Sequence, residues 1–284
     1  MSVENFIPQL WAAPFLVRLR KALVYGGIAN REYEGVIRNM GDTVNILEVG
    51  PVAASSYTKG STLTYSDLDG ADKQLLIDQA TEFHFKIDDV DRAQTMQGVM
   101  EGGMSEGAYA VADTIDQFIA GKYTEGVTQS TTGNSSADVD VSSGNVIEQF
   151  SYVGRYLTDR NVPTGGRWGV IPPFIHQKLL LAEVGGISAT AVPKADRGSY
   201  VNGFIGQAMG FNLFVSNNVQ NDGTEYYCMF GNNTAISYAG QLTELESFRL
   251  QTTFATAARG LYVYGAKVVR PNALHVAYWA EASG

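Results

Sequence analysis

The sequence has little of what catalysis or metal binding ordinarily uses. It holds one cysteine and three histidines. A lone cysteine excludes an intrachain disulfide and any cysteine-based zinc site. Cys228 lies in the apolar run Tyr226-Tyr227-Cys228-Met229-Phe230, where it reads as a small buried hydrophobe. Charge is also scarce: Asp, Glu, Lys and Arg make up 17% of the chain, against about a quarter in an ordinary globular protein. Polar cover therefore falls to Ser, Thr, Asn, Gln and 31 glycines. A charge-poor surface with 15 tyrosines suits extensive protein–protein contact, because interface centres are depleted in charge and rich in aromatics. A neutral-surfaced monomer satisfies the composition equally well. Basic residues are outnumbered, leaving a net charge of −9. This argues against a dedicated nucleic-acid binder, whose affinity comes from Lys and Arg meeting phosphates. It does not argue against a container that must avoid sticking to its contents. No uncharged apolar run approaches the ~20 residues of a membrane span. Residues 1–20 lack a basic start and carry Pro8 and Pro14 inside the apolar stretch, so no secretion signal is expected.

The 284 residues suffice for one large domain or two intertwined ones. No internal repeat is visible. Residues 1–40 read as an extended arm with a short helix: Phe15, Leu16, Leu19, Leu23 and Val24 form the apolar stripe, Arg18, Arg20 and Lys21 lie opposite, and Gly26-Gly27 ends it. Residues 43–68 read as a long hairpin, with Val44 and Ile46 alternating on one side and Leu63 and Tyr65 across the turn. Its tip, residues 50–60, is too long for a tight turn. Because an isolated two-stranded ribbon is marginal in water, this arm is expected to lean on something else. Phe83, Phe85 and Ile87 alternate with polar residues as a strand. From Asp89 to Lys122, Ala93, Met96, Met100, Met104, Ala108, Val111, Ile115 and Phe118 recur at three or four residues, the pattern of one long helix. Gly102, Gly103 and Gly107 weaken it, and predict a bend or close packing there.

Residues 124–145 are loop-like. Val146–Asp159 reads as a helix, Arg167–Ile171 as a buried strand, and Pro172-Pro173 opens a helix through Leu181. Residues 185–200 read as a loop, Gly203–Gly210 as a short helix and Phe211–Val215 as a strand. Beyond Tyr226 strand follows strand, with Phe248, Leu250, Thr252 and Phe254 alternating. The fold class is α+β, with one dominant helix and no βαβ repetition.

Constellations that could carry chemistry are thin. Gly103-Met104-Ser105-Glu106-Gly107 matches the G-x-S-x-G pattern of serine hydrolases, but that motif requires a strand-to-helix turn. Here it falls within a helical stripe. His84, His176 and His275 share no local motif. Asp88, Asp89 and Asp91 lack the full spacing and glycine of a calcium loop and read better as acids at a helix start. Gly203, Gly206 and Gly210 make no nucleotide-binding loop. No catalytic, cofactor or metal residues are predicted, and the chain reads as a non-enzyme.

Several phrases, in order, carry a resemblance: Ile7-Pro8-Gln9-Leu10-Trp11; Asn30-Arg31-Glu32-Tyr33-Glu34-Gly35 followed by Gly41-Asp42-Thr43-Val44; Phe83-His84-Phe85-Lys86-Ile87-Asp88-Asp89; Gly210-Phe211 leading to Val215-Ser216-Asn217-Asn218; and Tyr264-Gly265-Ala266-Lys267-Val268-Val269-Arg270-Pro271. Together with the order of elements, they resemble the major capsid proteins of tailed bacteriophages, with the Hong Kong 97-type fold. That resemblance implies an N-terminal arm (1–40), an extended hairpin arm or E-loop (41–70), a peripheral domain with the spine helix (71–124 and 226–284) and an axial domain (125–225). It implies pentamers and hexamers of the chain, an icosahedral head around double-stranded DNA bound without sequence preference, and assembly in the bacterial cytoplasm with no membrane. A separate scaffold protein is expected because the arm begins almost at once. A portal and a decoration protein would complete the partners. Contacts between subunits are expected at Trp11, Arg18, Val52, Tyr57, Lys59, Asp91 and Arg92. Some relatives join subunits through a Lys–Asn isopeptide bond, for which Lys59 with Asn232, Asn233 or Asn272 are the candidates here, an ordinary surface contact of Lys59 being the alternative. The rival within the same fold is an encapsulin-like nanocompartment shell; the rival from another class is a hydrolase using Ser105.

Overall fold

A computed structural model of the chain describes residues 15, 18–19, 23–34, 41–49, 56, 59–60, 70–88, 99–182 and 204–282. In chain order the elements are α1 (Tyr25–Ile28), β1 (Thr43–Val49), β2 (Gly70–Leu76), β3 (Gln79–Asp88), α2 (Val99–Ala120), β4 (Val139–Val141), α3 (Val146–Asp159), β5 (Arg167–Ile171), α4 (Pro173–Leu181), β6 (Phe204–Ala208), β7 (Phe211–Val215), β8 (Glu225–Asn232), β9 (Ile236–Arg249), β10 (Ala255–Val268) and β11 (Leu274–Glu281). Among the described residues the strands form three sheets: β1-β2, β3-β10-β9 and β4-β11-β8-β5-β7-β6. The α+β class is as expected.

The hairpin is present, but its return strand differs from the expected one. Val44 faces Leu75 and Ile46 faces Lys73, whereas Leu63 and Tyr65 lie outside the described residues. A second apolar cluster sets this register: Val44, Ile46, Leu75 and Ile77 bury together with Ala239, Val263 and Val269. A ribbon that could not hold itself together is thus anchored at its root on β9 and β10.

The three-stranded sheet carries the long helix. Apolar residues Met104, Ala108, Val111, Ala112, Ile115 and Ile119 of α2 are buried, one stripe at helical spacing. The helix is seen from Val99; the expected beginning near Asp89, with Ala93 and Met96, lies outside the described residues. The glycines serve close packing. A Cβ on Gly103 would stand 2.8 Å from the Phe85 ring, and one on Gly107 2.8 Å from the Phe83 ring. Alternation along β3 puts both rings on one face, and only glycine lets the helix backbone lie against them.

The six-stranded sheet is the centre of the rest. Helix α3 buries Val146, Phe150, Val153 and Leu157, β5 is buried throughout, and Pro173 begins α4, all as expected. Phe150, Phe230 and Trp279 meet at ring separations of 5.3–5.5 Å. The buried Arg167 guanidinium donates to Pro163 O, Gly154 O, Val162 O and Thr158 Oγ1. It thereby ties α3 and the loop that follows it to the start of β5.

Four expectations are corrected. Gly26 and Gly27 do not end a helix but lie inside the turn α1, fixed by a tertiary contact described below. Residues 203–210 are not helical: β6 pairs with β7 through the two-residue turn Met209-Gly210, both with positive φ (53° and 83°), the geometry of a type I′ hairpin. The alternation from Phe248 to Phe254 is not one strand, since β9 ends at Arg249 and β10 begins at Ala255. Without Gly, Pro or Asn to mark the turn, alternation runs through it. The C-terminal strands do not all accompany the long helix. β10 pairs with β3 and β9 with β10, whereas β8 and β11 lie inside the six-stranded sheet.

Candidate assembly surfaces

Apolar side chains that the single chain leaves in water concentrate at element ends. Phe254, at the β9–β10 tip, is 78% exposed, and Phe248 beside it 39%. Leu250 N–H donates to Ala255 O across this turn, so the backbone satisfies itself and the rings stay outside. The Arg259 guanidinium lies 5.1 Å from the Phe248 ring centre and donates from Nε (3.0 Å) and Nη2 (2.7 Å) to Glu246 Oε2. Leu180 and Leu181 end α4 exposed, as does Met209 at the β6–β7 turn, and Tyr109 on the outer face of α2 is 63% exposed. Single exposed hydrophobes are ordinary, whereas adjacent ones at the ends of elements mark contact surfaces.

Of the expected contact residues, Arg18 and Lys59 are described and both are exposed. Trp11, Val52, Tyr57, Asp91 and Arg92 lie outside the described residues, as do Asp89 and the 185–200 loop. Arg18 sits opposite Phe15 and Leu19, which are buried, as the stripe predicts. Phe15 stacks on Phe83 at 4.9 Å, so arm and β3 share a core.

A carboxylate ties that arm to the spine helix. Asp116, on α2, is 2% exposed. Its Oδ2 accepts from Val24 N–H at 2.6 Å and its Oδ1 from Gly26 N–H at 3.1 Å. It supplies acceptors for the first amides of α1, which no preceding turn can satisfy. Burial pushes its pKa up to about 7; the amides of Val24, Gly26 and Tyr25 pull it down, and Asp113 raises it further. The sequence reading missed this residue, although a signal existed: an acid at i+4 from Ala112 and i−3 from Ile119, on the apolar stripe itself.

The residues weighed for chemistry are not brought together. Ser105 lies within α2 and not on a strand-to-helix turn. His84 is on β3, His176 on α4 and His275 on β11. His275 is fully buried, with Nε2 2.9 Å from Thr132 Oγ1 and its ring stacked on Tyr156 at 5.6 Å. Burial, then the nearby Arg160 charge, holds its pKa down at about 3, so the ring stays neutral and structural. Among the described residues no three His, Cys, Asp or Glu side chains could hold a metal ion, and no helix is long and apolar enough to cross a membrane. Cys228 is fully buried, and burial raises its thiol pKa well above the ordinary value. Of the isopeptide candidates, Asn232 is buried and donates its amide to Gly165 O at 2.8 Å, while Asn233 and Asn272 are exposed.

The comparisons with known proteins point one way. A family model described as phage capsid protein matches residues 77–277. A solved chain of Mycobacterium phage Che8 is 27% identical, with a TM-score of 0.68 over 89% of this chain and 90% of that one. A capsid structure of the cyanophage P-SCSP1u is 18% identical, with a TM-score of 0.65 over 93% and 90%. A virus-like particle from Pyrococcus furiosus is 12% identical, with a TM-score of 0.50 over 93% and 96%. No curated protein sequence matches.

Proposed function

We propose, since the chain belongs to the phage capsid protein family, that it assembles as pentamers and hexamers into an icosahedral head around double-stranded DNA. The fold is the Hong Kong 97-type and the chain is a major capsid protein of the tailed-phage kind. The observation that carries the assembly reading is apolar surface left uncovered at the β9–β10 tip and at the end of α4, which a second copy would bury.

In this reading β1-β2 is the arm laid on a neighbour. The sheet β3-β10-β9 with α2 is the peripheral region, and the six-stranded sheet with α3 and α4 the axial region. Arg18 and Lys59 are contact residues of the arms. The role is structural and not enzymatic, and the chain is a virion component assembled in the host cytoplasm. A scaffold protein, a portal and a decoration protein follow from the family resemblance. The net charge of −9 supports a container that keeps DNA mobile instead of binding it. A nanocompartment shell is the second reading, favoured only by the likeness to the Pyrococcus particle, which is weaker than that to the phage chains.

Negative-stain electron microscopy of the chain, expressed alone and with its neighbouring genes, tests this. Closed shells or capsomer rings are the expected result. A persistent monodisperse monomer under both conditions would remove the proposal, and shells loaded with an enzyme and no DNA would move it to the second reading.

A further inference from the structure

The sheet edges differ in how they are closed. The six-stranded sheet ends in β4, three residues long, and in β6, five residues interrupted by a register shift between Phe204 and Gly206. Short and bulged edges resist the addition of a further strand. The three-stranded sheet ends in β3, of ten residues, and β9, of fourteen. β3 carries both signs of charge, Glu82 and Lys86. From Gly240 to Phe248, β9 carries acids alone, Glu244 and Glu246.

Among the described residues the outer edge of β9 is paired only at its root. Asn30 N–H donates to Ile236 O at 2.8 Å, and Tyr238 N–H donates to Asn30 O at 2.9 Å. Ile236 and Tyr238 therefore turn their backbone groups away from β10, and alternation extends this to Gly240 and Leu242. At the far end Leu250 N–H donates to Ala255 O, so the even-numbered residues there face β10. The parity changes at a bulge. Leu261 pairs with Glu244 and Tyr262 with Leu242, which leaves Thr243 as the extra residue. Beyond it Leu245 and Ser247 point outward. Among the described residues no backbone group bonds Gly240, Leu242, Leu245 or Ser247 from that side.

Charge narrows what can pair there. A second copy of β9 set antiparallel about Leu245 would place Glu244 opposite Glu246 twice, and like charges directly opposite destabilise a sheet. Glu246 is answered by Arg259, whereas Glu244 has no ion pair among the described residues. The hairpin arm holds the complement. Lys59 is the only cation between Asp42 and Asp72. Lys59 and Gly60 are exposed, so the arm does not bury this lysine on its own subunit.

We propose that β9 accepts an added strand along its edge from Gly240 to Ser247, supplied by the hairpin arm of a second copy, with that copy's Lys59 set against Glu244. The inference rests on the reading of β1-β2 as an arm laid on a neighbour, and it names the strand that receives it. Backbone hydrogen bonds supply the affinity of such an addition, and side chains fix its register. A ribbon that is marginal alone thereby joins a three-stranded sheet.

Hydrogen exchange of the full chain, unassembled and assembled, tests this. In the unassembled chain the amides of Gly240, Leu242, Leu245 and Ser247 are expected to exchange fast, and on assembly to slow by about tenfold or more. Ser247→Pro removes an N–H that faces away from β10, a change that an edge strand tolerates. It is expected to fold like the parent and to lose shells. Lys59→Glu and Glu244→Lys are each expected to lower the yield of shells, and the two together to restore it. Four amides already protected in the unassembled chain, no added protection on assembly, or Ser247→Pro shells at the parent's yield overturns the strand addition. A double charge variant no better than the single ones overturns the pairing of Lys59 with Glu244. A parent that stays monomeric instead overturns the assembly reading, and this inference with it.

Discussion

Replacing Asp116 by alanine tests how the N-terminal arm is held. The substitution removes the acceptor of two buried amides, Val24 N–H and Gly26 N–H. Leaving a buried donor unsatisfied costs about 1–3 kcal/mol, so the pair predicts a loss of roughly 2–6 kcal/mol. The size of the loss depends on pH, and its sign follows from the raised pKa. A carboxyl titrating at about 7 in the folded chain, against 3.8 ordinarily, binds its proton more tightly folded than unfolded. Its contribution to stability is fully present below pH 3.8 and is lost as pH rises through 7, a swing of roughly 4 kcal/mol. Alanine has no such titration. The gap between parent and Asp116→Ala is therefore largest at and below pH 3.8 and shrinks as pH rises to about 7. Urea unfolding of both full chains across pH 4.5–8.5 measures the gap, and hydrogen exchange at Val24 and Gly26 localises it, since those amides lose protection in the variant. A gap that stays constant or widens with pH would refute the argument that desolvation dominates at this carboxylate.

Other outcomes follow from single contacts. On one helix, Gly107→Ala and Gly102→Ala should move in opposite directions. The first drives a Cβ to 2.8 Å from the buried Phe83 ring and should cost about 1–3 kcal/mol. The second meets nothing within 4 Å and should gain up to about 1 kcal/mol from helix propensity; paired denaturation curves decide. Met209→Asn should stabilise the β6–β7 turn by about 1 kcal/mol, because asparagine tolerates the positive φ that methionine does not; an unchanged midpoint would count against the turn assignment. Phe254→Ser should leave the unassembled chain within ~0.5 kcal/mol of the parent but reduce the yield of shells seen by electron microscopy. Cys228 should resist a thiol reagent in the native chain and react only with unfolding; prompt labelling would contradict its burial.

Where pattern and local chemistry agree, the sequence was readable. Helix α3 shows its apolar stripe and α4 its opening proline. Strands β5 and β7 are short apolar runs bounded by turn residues, and β3 alternates. The glycines of α2 announced close packing without saying against what; the partner rings, Phe83 and Phe85, lie in a strand that sequence alone does not place beneath the helix. Errors arose where a tertiary neighbour overrode local preference. Gly26 and Gly27 read as a helix end, but Asp116 supplies acceptors that turn them into a helical turn. Residues 203–210 lack the Asn-Gly or Asp-Gly that announces a hairpin, and Met209 takes a positive φ because β7 offers a strand to pair with.

The candidate surfaces show the same division. Phe254 was legible as an apolar residue, but its exposure depends on where β9 stops, which is set by pairing with β10. By itself the sequence determined the class, most element types, the long helix, the scarcity of catalytic groups and the likeness to phage capsid proteins. These rest on periodicity, turn chemistry and composition, which act over a few residues. Strand order, the division of the C-terminal strands between two sheets, the true partner of β1 and the Asp116 tie were decided only by tertiary structure, because each depends on groups that burial brings together across long stretches of chain.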